Sequence, residues 1–258
     1  MCFFVADAGF LWEEKEHANV RGEYYVNHEQ RTGRRKSPTR EVRGQTFVRI
    51  PVRTHRIMPG EDIVAVALRY CQNILAPGDV LVVAQRPVCM SQGRLIERSA
   101  VKPRPLARFL ADVLQSTYPI GKRNPRYIEL ALDVGGGIRV CVAVLAQFAT
   151  AWTGRKRDFE AVAGPNVTAL KVPRGNAVPP SDTCYLLPPL SPQMIVTEMA
   201  QRIGVQVLMV SADECGHVAI LAHTPGVDSK TLGQLLLDNP HGQGRELTPF
   251  VIVRLITH

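Results

Sequence analysis

The sequence predicts an α+β domain, a mixed sheet with flanking helices. Three observations carry that expectation. Apolar stretches of strand length and of helical spacing alternate along the chain without a strict βαβ rhythm. Several strand-like stretches lie close enough together to pair as hairpins. No G-x-G-x-x-G follows a strand; the "GGG" at 135–137 stands at a helix end, which argues against a doubly wound dinucleotide fold. With 45% hydrophobic residues in a chain of 258, a sizeable core can form.

The elements follow in order. Residues 1–45 are charged and lack an apolar period, with Arg34, Arg35, Lys36, Arg40 and Arg43 clustered. They read as a disordered basic extension, leaving 46–258 as the folded domain, divisible into 46–150 and 151–258. In "TFVRIPVRTHRI", Val48, Ile50 and Val52 alternate with Arg49, Pro51 and Arg53, the period of a half-buried strand. Pro51 cannot donate to a ladder and places the strand at an edge or a bulge. Ile63, Val66, Ala67, Tyr70, Cys71 and Ile74 mark a helix over about 61–75. "VLVVAQ" is a strand buried on both faces.

Leu106, Phe109, Leu110, Val113 and Leu114 mark a second helix, and Asn124 followed by Pro125 opens a third. The apolar run from Ile138 fits helix and strand equally. "RDFEAVAGPNVTALKVP" reads as strand, tight turn, strand. A proline-rich stretch leads to a helix from Ser191 and Pro192, carrying Ile195, Met199 and Ile203. "GVQVLMVSADECGHVAILAH" gives two strands around a loop. Asp228 caps a short helix that Pro240 ends, and "TPFVIVRLI" is the last strand.

Composition narrows the partners. The net charge of +8 favours anions. There is neither an arginine-aromatic interleave nor zinc-finger spacing, so nucleic acid is not expected. Ile138–Trp152 is short for a bilayer span, and the start "MCFFVADAGFLWEEKE" has no basic leader, so neither a membrane span nor a signal peptide is expected. Six cysteines without C-x-x-C spacing read as reduced, buried thiols of a cytoplasmic protein.

Two stretches carry candidate chemistry. The loop Gln85–Arg94 follows the buried strand. Its Arg86 and Arg94 could each present forked donors to phosphate, and Gly93 could let backbone approach a ligand. The alternative is a plain hairpin with solvated arginines. "SADECGH" also follows a strand, and its adjacent Asp213 and Glu214 suit a hard cation such as Mg²⁺, or a polar turn. His217 and His223 would share one strand face, but no third ligand accompanies them, so ordinary histidines are preferred to a zinc site. Neither a P-loop nor a G-x-S-x-G is present.

"VRTHRIMPGEDI", a helix, "LAPGDVLVVAQRPVCMSQGRLIE" and "NPRYIELAL" resemble, in that order, the coenzyme F420-0:L-glutamate ligase family. Members show a "PGDD" turn, then V-x-[AS]-Q-K-[IV]-V-S-K-x-E-G-R, then "DPR-x-VEL". The resemblance is good over about 50–135 and weaker beyond, although Arg254 matches an arginine of the family's last strand. It implies the family's mixed α/β fold, a homodimer, and amide formation between L-glutamate and a phosphorylated deazaflavin precursor. GTP with Mg²⁺ or Mn²⁺ would activate the carboxylate as an acyl phosphate. By the same resemblance, Arg86, Ser91, Gly93 and Arg94 would hold nucleotide or phosphate, and Asp213, Glu214 and Asn166 the metal. Several positions depart from the pattern. Arg86 and Met90 stand where lysines are expected, Gln92 where a glutamate is, and Asn166 where an aspartate is. Two readings follow: a metal- and GTP-dependent ligase, or a diverged relative that binds a nucleotide, deazaflavin or other anion without ligase activity.

Overall fold

A computed structural model describes residues 24–26, 37–114, 124–150, 158–173, 179–212, 216–242 and 246–256. The strands are β1 (Tyr24–Val26), β2 (Thr39–Val42), β3 (Gln45–Val52), β4 (Val80–Ala84), β5 (Leu95–Glu97), β6 (Cys184–Leu186), β7 (Gln206–Ala212), β8 (His217–His223) and β9 (Phe250–Ile256). The helices are α1 (Ile63–Cys71), α2 (Gln85–Ser91), α3 (Pro105–Leu114), α4 (Pro125–Gly135), α5 (Gly137–Thr150), α6 (Asp158–Ala163), α7 (Pro165–Ala169), α8 (Pro192–Ile203) and α9 (Ser229–Leu235).

Seven strands form one sheet in the order β1-β8-β7-β4-β9-β3-β2, and β5 pairs with β6 in a separate ribbon. Among the described residues, β4 and β7 run parallel and every other strand pair is antiparallel. The α+β expectation is met. A parallel pair needs a long crossover, and here it is the whole stretch from α2 to α8.

Both faces of the sheet are covered. On one face α1 and α8 bury Val66, Ala67, Val196 and Met199 against Leu81, Val83, Val207, Met209 and Ile252. On the other, α9 buries Leu232, Leu235 and Leu236 against Val82, Leu208, Val210 and Val251. A third core belongs to α3–α7 and runs from Val101 to Tyr185. The expected division at 150 therefore falls inside one packed cluster, between α5 and α6. The core boundaries lie nearer 100 and 185.

Several expectations need correction. Residues 85–91 form a helix, not a loop: β4 passes directly into α2, and Pro87 is tolerated in its first turn. Residues 158–163 and 165–169 form α6 and α7 rather than two strands. Phe159, Ala163, Val167 and Leu170 recur at helical spacing and are all buried in the helical core. Gly164, at φ 93°, breaks the run, and Pro165 starts α7. The run from Ile138 is helical. Strands β1 and β2 lie within the stretch read as an extension, while residues 1–23 and 27–36 lie outside the described residues.

Strand β3 is covered on both faces rather than half-buried: Phe47 and Arg49 are buried on the α9 side while Val48 and Ile50 are only partly covered, so the expected burial phase is reversed there. Pro51 sits past the register of β2, which ends at Val48, so it interrupts no ladder there. A bulge in β8 skips Leu221 between the pairs Met209–Ala222 and Val210–Ile220. Val218 and Ile220 therefore join one core and Ala222 the other. His217 and His223 consequently do not share a face. Among the described residues, no helix is long and apolar enough to cross a membrane.

Candidate functional site

The carboxyl ends of β3, β4 and β7 and the start of β9 meet at one edge of the sheet. In sheets with parallel neighbours this edge is where ligands collect. Cross-links set it: Thr54 N donates to Leu247 O (2.9 Å), and Ala84 N donates to Pro249 O (2.9 Å). A cavity of about 200 Å³ opens there, between the sheet and the helical layer. Its walls come from Thr54–Ile57 after β3, Ala84–Pro87 and Met90 at the β4–α2 junction, and Val210–Ala212 at the end of β7. Leu170–Val172, Ser181, Asn239–Gly242 and Leu247–Pro249 complete them, with Pro240 outside the lining.

The charge of the lining has one sign. Arg56, Arg86 and Lys171 contribute cations, His55 and His241 imidazoles, and among the described residues no aspartate or glutamate lines the cavity. An anion entering it meets attraction on several sides, strengthened by the low dielectric of the walls. Lys171 Nζ donates to Thr168 O at 3.3 Å, which anchors its ammonium at the rim.

A neutral thiol lies beneath. Burial pushes the Cys89 thiol up to about 12 despite the Gln85 amide and the positive charges of Lys171, Arg86 and Arg94. Cys71 is likewise pushed up to about 12 by burial. Neither is a nucleophile near neutral pH. Both are free, as are Cys141 and Cys184, while Cys2 and Cys215 lie outside the described residues.

The residues singled out in the sequence divide. Arg86 lines the cavity. Ser91, Gly93 and Arg94 do not. Ser91 Oγ donates to Val88 O at 2.9 Å within α2. Gly93, at φ 64°, makes the turn out of α2, and a Cβ there would meet only Pro59, at 3.9 Å. The positive φ is what the turn requires of this position. Arg94 Nε donates to Pro188 O at 3.1 Å. Asn166 is exposed on α7, away from the lining, with Nδ2 donating to Val134 O at 3.3 Å.

Asp213 and Glu214 lie outside the described residues, immediately after Ala212 of the cavity wall. Among the described residues, no group of three His, Cys, Asp or Glu could hold a metal ion.

The departures from the family pattern also find places. Met90 is buried in the cavity wall, where Ser181 Oγ donates to its sulfur at 3.3 Å. Gln92 forms a reciprocal pair with Leu190, Oε1 accepting from its N (2.8 Å) and Nε2 donating to its O (3.0 Å). Arg254 grips Asp79 through Nε (2.8 Å) and Nη2 (2.7 Å), tying β9 to the turn before β4.

Sequence reasoning misses Thr54, His55, Arg56, Lys171, Ser211, Asn239 and His241. A signal exists for the first three: polar residues directly follow the apolar run of β3, as Gln85 and Arg86 follow β4. Nothing local marks Lys171 or His241, which reach the cavity only through the tertiary fold.

A comparison with curated proteins gives no match. The family model described as F420-0:Gamma-glutamyl ligase matches residues 51–227, more than half of the chain. That span contains every cavity segment except Asn239–Pro249. The chain belongs to the F420-0:gamma-glutamyl ligase family.

Proposed function

We propose that the protein is a ligase that joins L-glutamate to a phosphorylated deazaflavin acid, driven by GTP with Mg²⁺ or Mn²⁺, and that the cavity receives the phosphate-bearing reactant. The observation behind this reading is the lining itself: three cationic side chains and, among the described residues, no acid, at the edge where β4 and β7 end. In the reaction, a carboxylate oxygen attacks the terminal phosphorus of GTP, releasing GDP and leaving an acyl phosphate. The glutamate amine then attacks the acyl carbon and phosphate departs, so the amide forms with loss of one proton.

Both steps concentrate negative charge on phosphate oxygens. Arg86 is suited to hold two of them in its fork, Lys171 to neutralise a third, and Arg56 to close the rim. Half-buried Arg86 stands at the direct β4–α2 junction, which sets where its backbone meets the cavity. Asp213 and Glu214, the proposed metal carboxylates, would hold a divalent cation, which would supply Lewis-acid polarisation of phosphate.

A second reading rests on Met90. It puts a thioether in the cavity wall where the family pattern has an ammonium, and Asn166 sits away from the cavity. On that reading the protein binds the anion without turning it over.

Thermal shift with GTP and either metal, followed by a GDP-release assay with L-glutamate and the deazaflavin precursor, separates the two. Ligand-dependent stabilisation together with GDP release supports the ligase. Stabilisation without turnover supports the binder. No stabilisation at millimolar GTP overturns the ligase, and none by GTP, deazaflavin precursor or phosphate overturns both.

A further inference from the structure

We infer that the outward face of α5, with the exposed residues of α3 beside it, is a docking surface for an anionic lipid bilayer. This stands apart from the cavity and does not depend on what the cavity binds.

Ile138, Val142, Leu145 and Phe148 recur at helical spacing along α5, and all four are exposed, Ile138 by 86% and Leu145 by 64%. The buried face of the helix is the other one, carrying Val140, Ala143, Val144 and Gln147, so the stripe plays no part in packing α5 onto its layer. From residue 134 to residue 157 the sequence has no aspartate or glutamate, and from 140 to 150 no charged residue at all. Helix α3 packs against α5 and adds exposed Leu106 and Phe109, with exposed Arg108 between them in the chain. A contiguous apolar stripe of this kind marks an interaction site. Charge names the occupant. Residues 98–172, which hold the helical layer, contain twelve Lys and Arg against five Asp and Glu, while the rest of the chain contains nineteen against eighteen. Nearly all of the net +8 therefore belongs to the layer that bears the stripe. A second copy would set that excess of cations against itself. Nucleic acid would answer the charge but offers no apolar layer for Ile138 and Leu145. An anionic bilayer meets both demands, with headgroup phosphates for the arginines and the acyl boundary for the stripe. At 14 residues α5 is too short to cross a bilayer and suits a helix lying in the plane of its surface.

The test is co-sedimentation of the full chain with two kinds of vesicle, phosphatidylcholine alone and phosphatidylcholine with about 30% phosphatidylglycerol. Wild type is expected to partition at least about tenfold more strongly onto the anionic vesicles, with the gap closing as salt rises. Leu145→Glu should lower that binding at least about tenfold, and the uncharged Ile138→Gln at least about threefold. Met194→Glu adds the same charge at a similarly exposed position on α8, away from the helical layer, and should stay within about twofold of wild type. Thermal unfolding without lipid checks that the variants fold, and Ile138→Gln decides the question if Leu145→Glu does not. No binding at millimolar lipid, equal binding to both vesicles, or a Met194→Glu loss as large as that of Leu145→Glu overturns the assignment. Binding that Ile138→Gln leaves unmoved overturns it too, because the contact is then electrostatic alone, as it would be with nucleic acid. Self-association in sedimentation equilibrium that Leu145→Glu abolishes gives the stripe to a second copy instead and likewise overturns it.

Discussion

The sheet and the helical layer meet at the cavity but are built on different terms. The sheet is covered on both faces, by α1 and α8 on one side and α9 on the other, and it buries even a guanidinium, Arg49. The helical layer turns one face inward and leaves an apolar stripe on α5 in the open, with Ile138 86% and Leu145 64% exposed. The two regions also hold their arginines differently, although each buries a charge, Arg49 in one and Glu129 in the other. Arg49 is locked between Asp238, Leu235 O and Ser37 O. In the helical layer Arg104 is mostly exposed while it pairs with Glu129 and Asp133. The cations of the cavity come from both sides: Arg56 and Arg86 from the sheet's edge, Lys171 from the helical layer. The sheet supplies rigid positions, and the helical layer closes over them.

The largest expected effect tests the buried charge. Asp238→Ala leaves Arg49 in the core without its carboxylate and should cost about 3–5 kcal/mol in urea unfolding. Arg104→Met, the matching change in the helical layer, should cost less, about 1–2 kcal/mol, because the buried Glu129 keeps the backbone N–H of residue 104 as a donor. Equal losses would erase the contrast. Asp238→Ala should also weaken anion binding, since Asn239 and His241 of the cavity follow directly from Asp238.

The sheet is the more legible half, for a physical reason. Its strands are apolar runs bounded by turn residues, and "VLVVAQ" announces burial on both faces by having no polar alternation. In the helical layer α6 and α7 are short, and α5 carries valines that suit a strand as well, so period and length are weak guides. "RDFEAVAGPNVTALKVP" looks strand-like by its β-branched residues, although Phe159, Ala163, Val167 and Leu170 carry a helical period through the break at Gly164. Arg86 can be picked out because it follows a buried strand. Ser91, Gly93 and Arg94 group with it only while the stretch reads as a loop. Once the stretch is α2, those three fall at or beyond the helix end, on the side of Pro188 and Leu190. Lys171 is invisible in the sequence, because its place beside the cavity depends on how α7 docks.

Next in size is a change at the cavity. Lys171→Met removes the helical layer's cation from the lining and should weaken phosphate or GTP binding about tenfold, measured by calorimetry at fixed salt. The loss should shrink as ionic strength rises. A wild-type affinity in Lys171→Met would mean that the sheet's edge binds the anion unaided.

A pH-dependent effect lies at the opposite end of β4. Burial alone would push the Asp79 carboxyl up, but the Arg254 guanidinium and the Ala76 N–H outweigh it and hold it below the usual carboxylate range. A depressed carboxyl stabilises the fold above its unfolded pKa, and that contribution fades as pH falls through the folded pKa. Arg254→Met should therefore lower the urea midpoint at pH 7, with the gap narrowing as the carboxyl protonates in acid. A gap constant with pH would show that Arg254 acts by packing alone.

The smallest expected effect decides how the helical layer is built. If 138–150 were a strand, Val140, Val142 and Val144 would share one face and cost alike when truncated. On α5, Val140, Ala143, Val144 and Gln147 point inward, and Val142 is 51% exposed. Val144→Ala should thus cost about 2 kcal/mol. Val142→Ala should stay within about 0.5 kcal/mol, its lost contacts offset by alanine's better helix propensity. Thermal unfolding of the two variants side by side reads the difference. A Val142 loss as large as that of Val144 would mean that both lie under cover, and the one-faced helical layer would have to be given up.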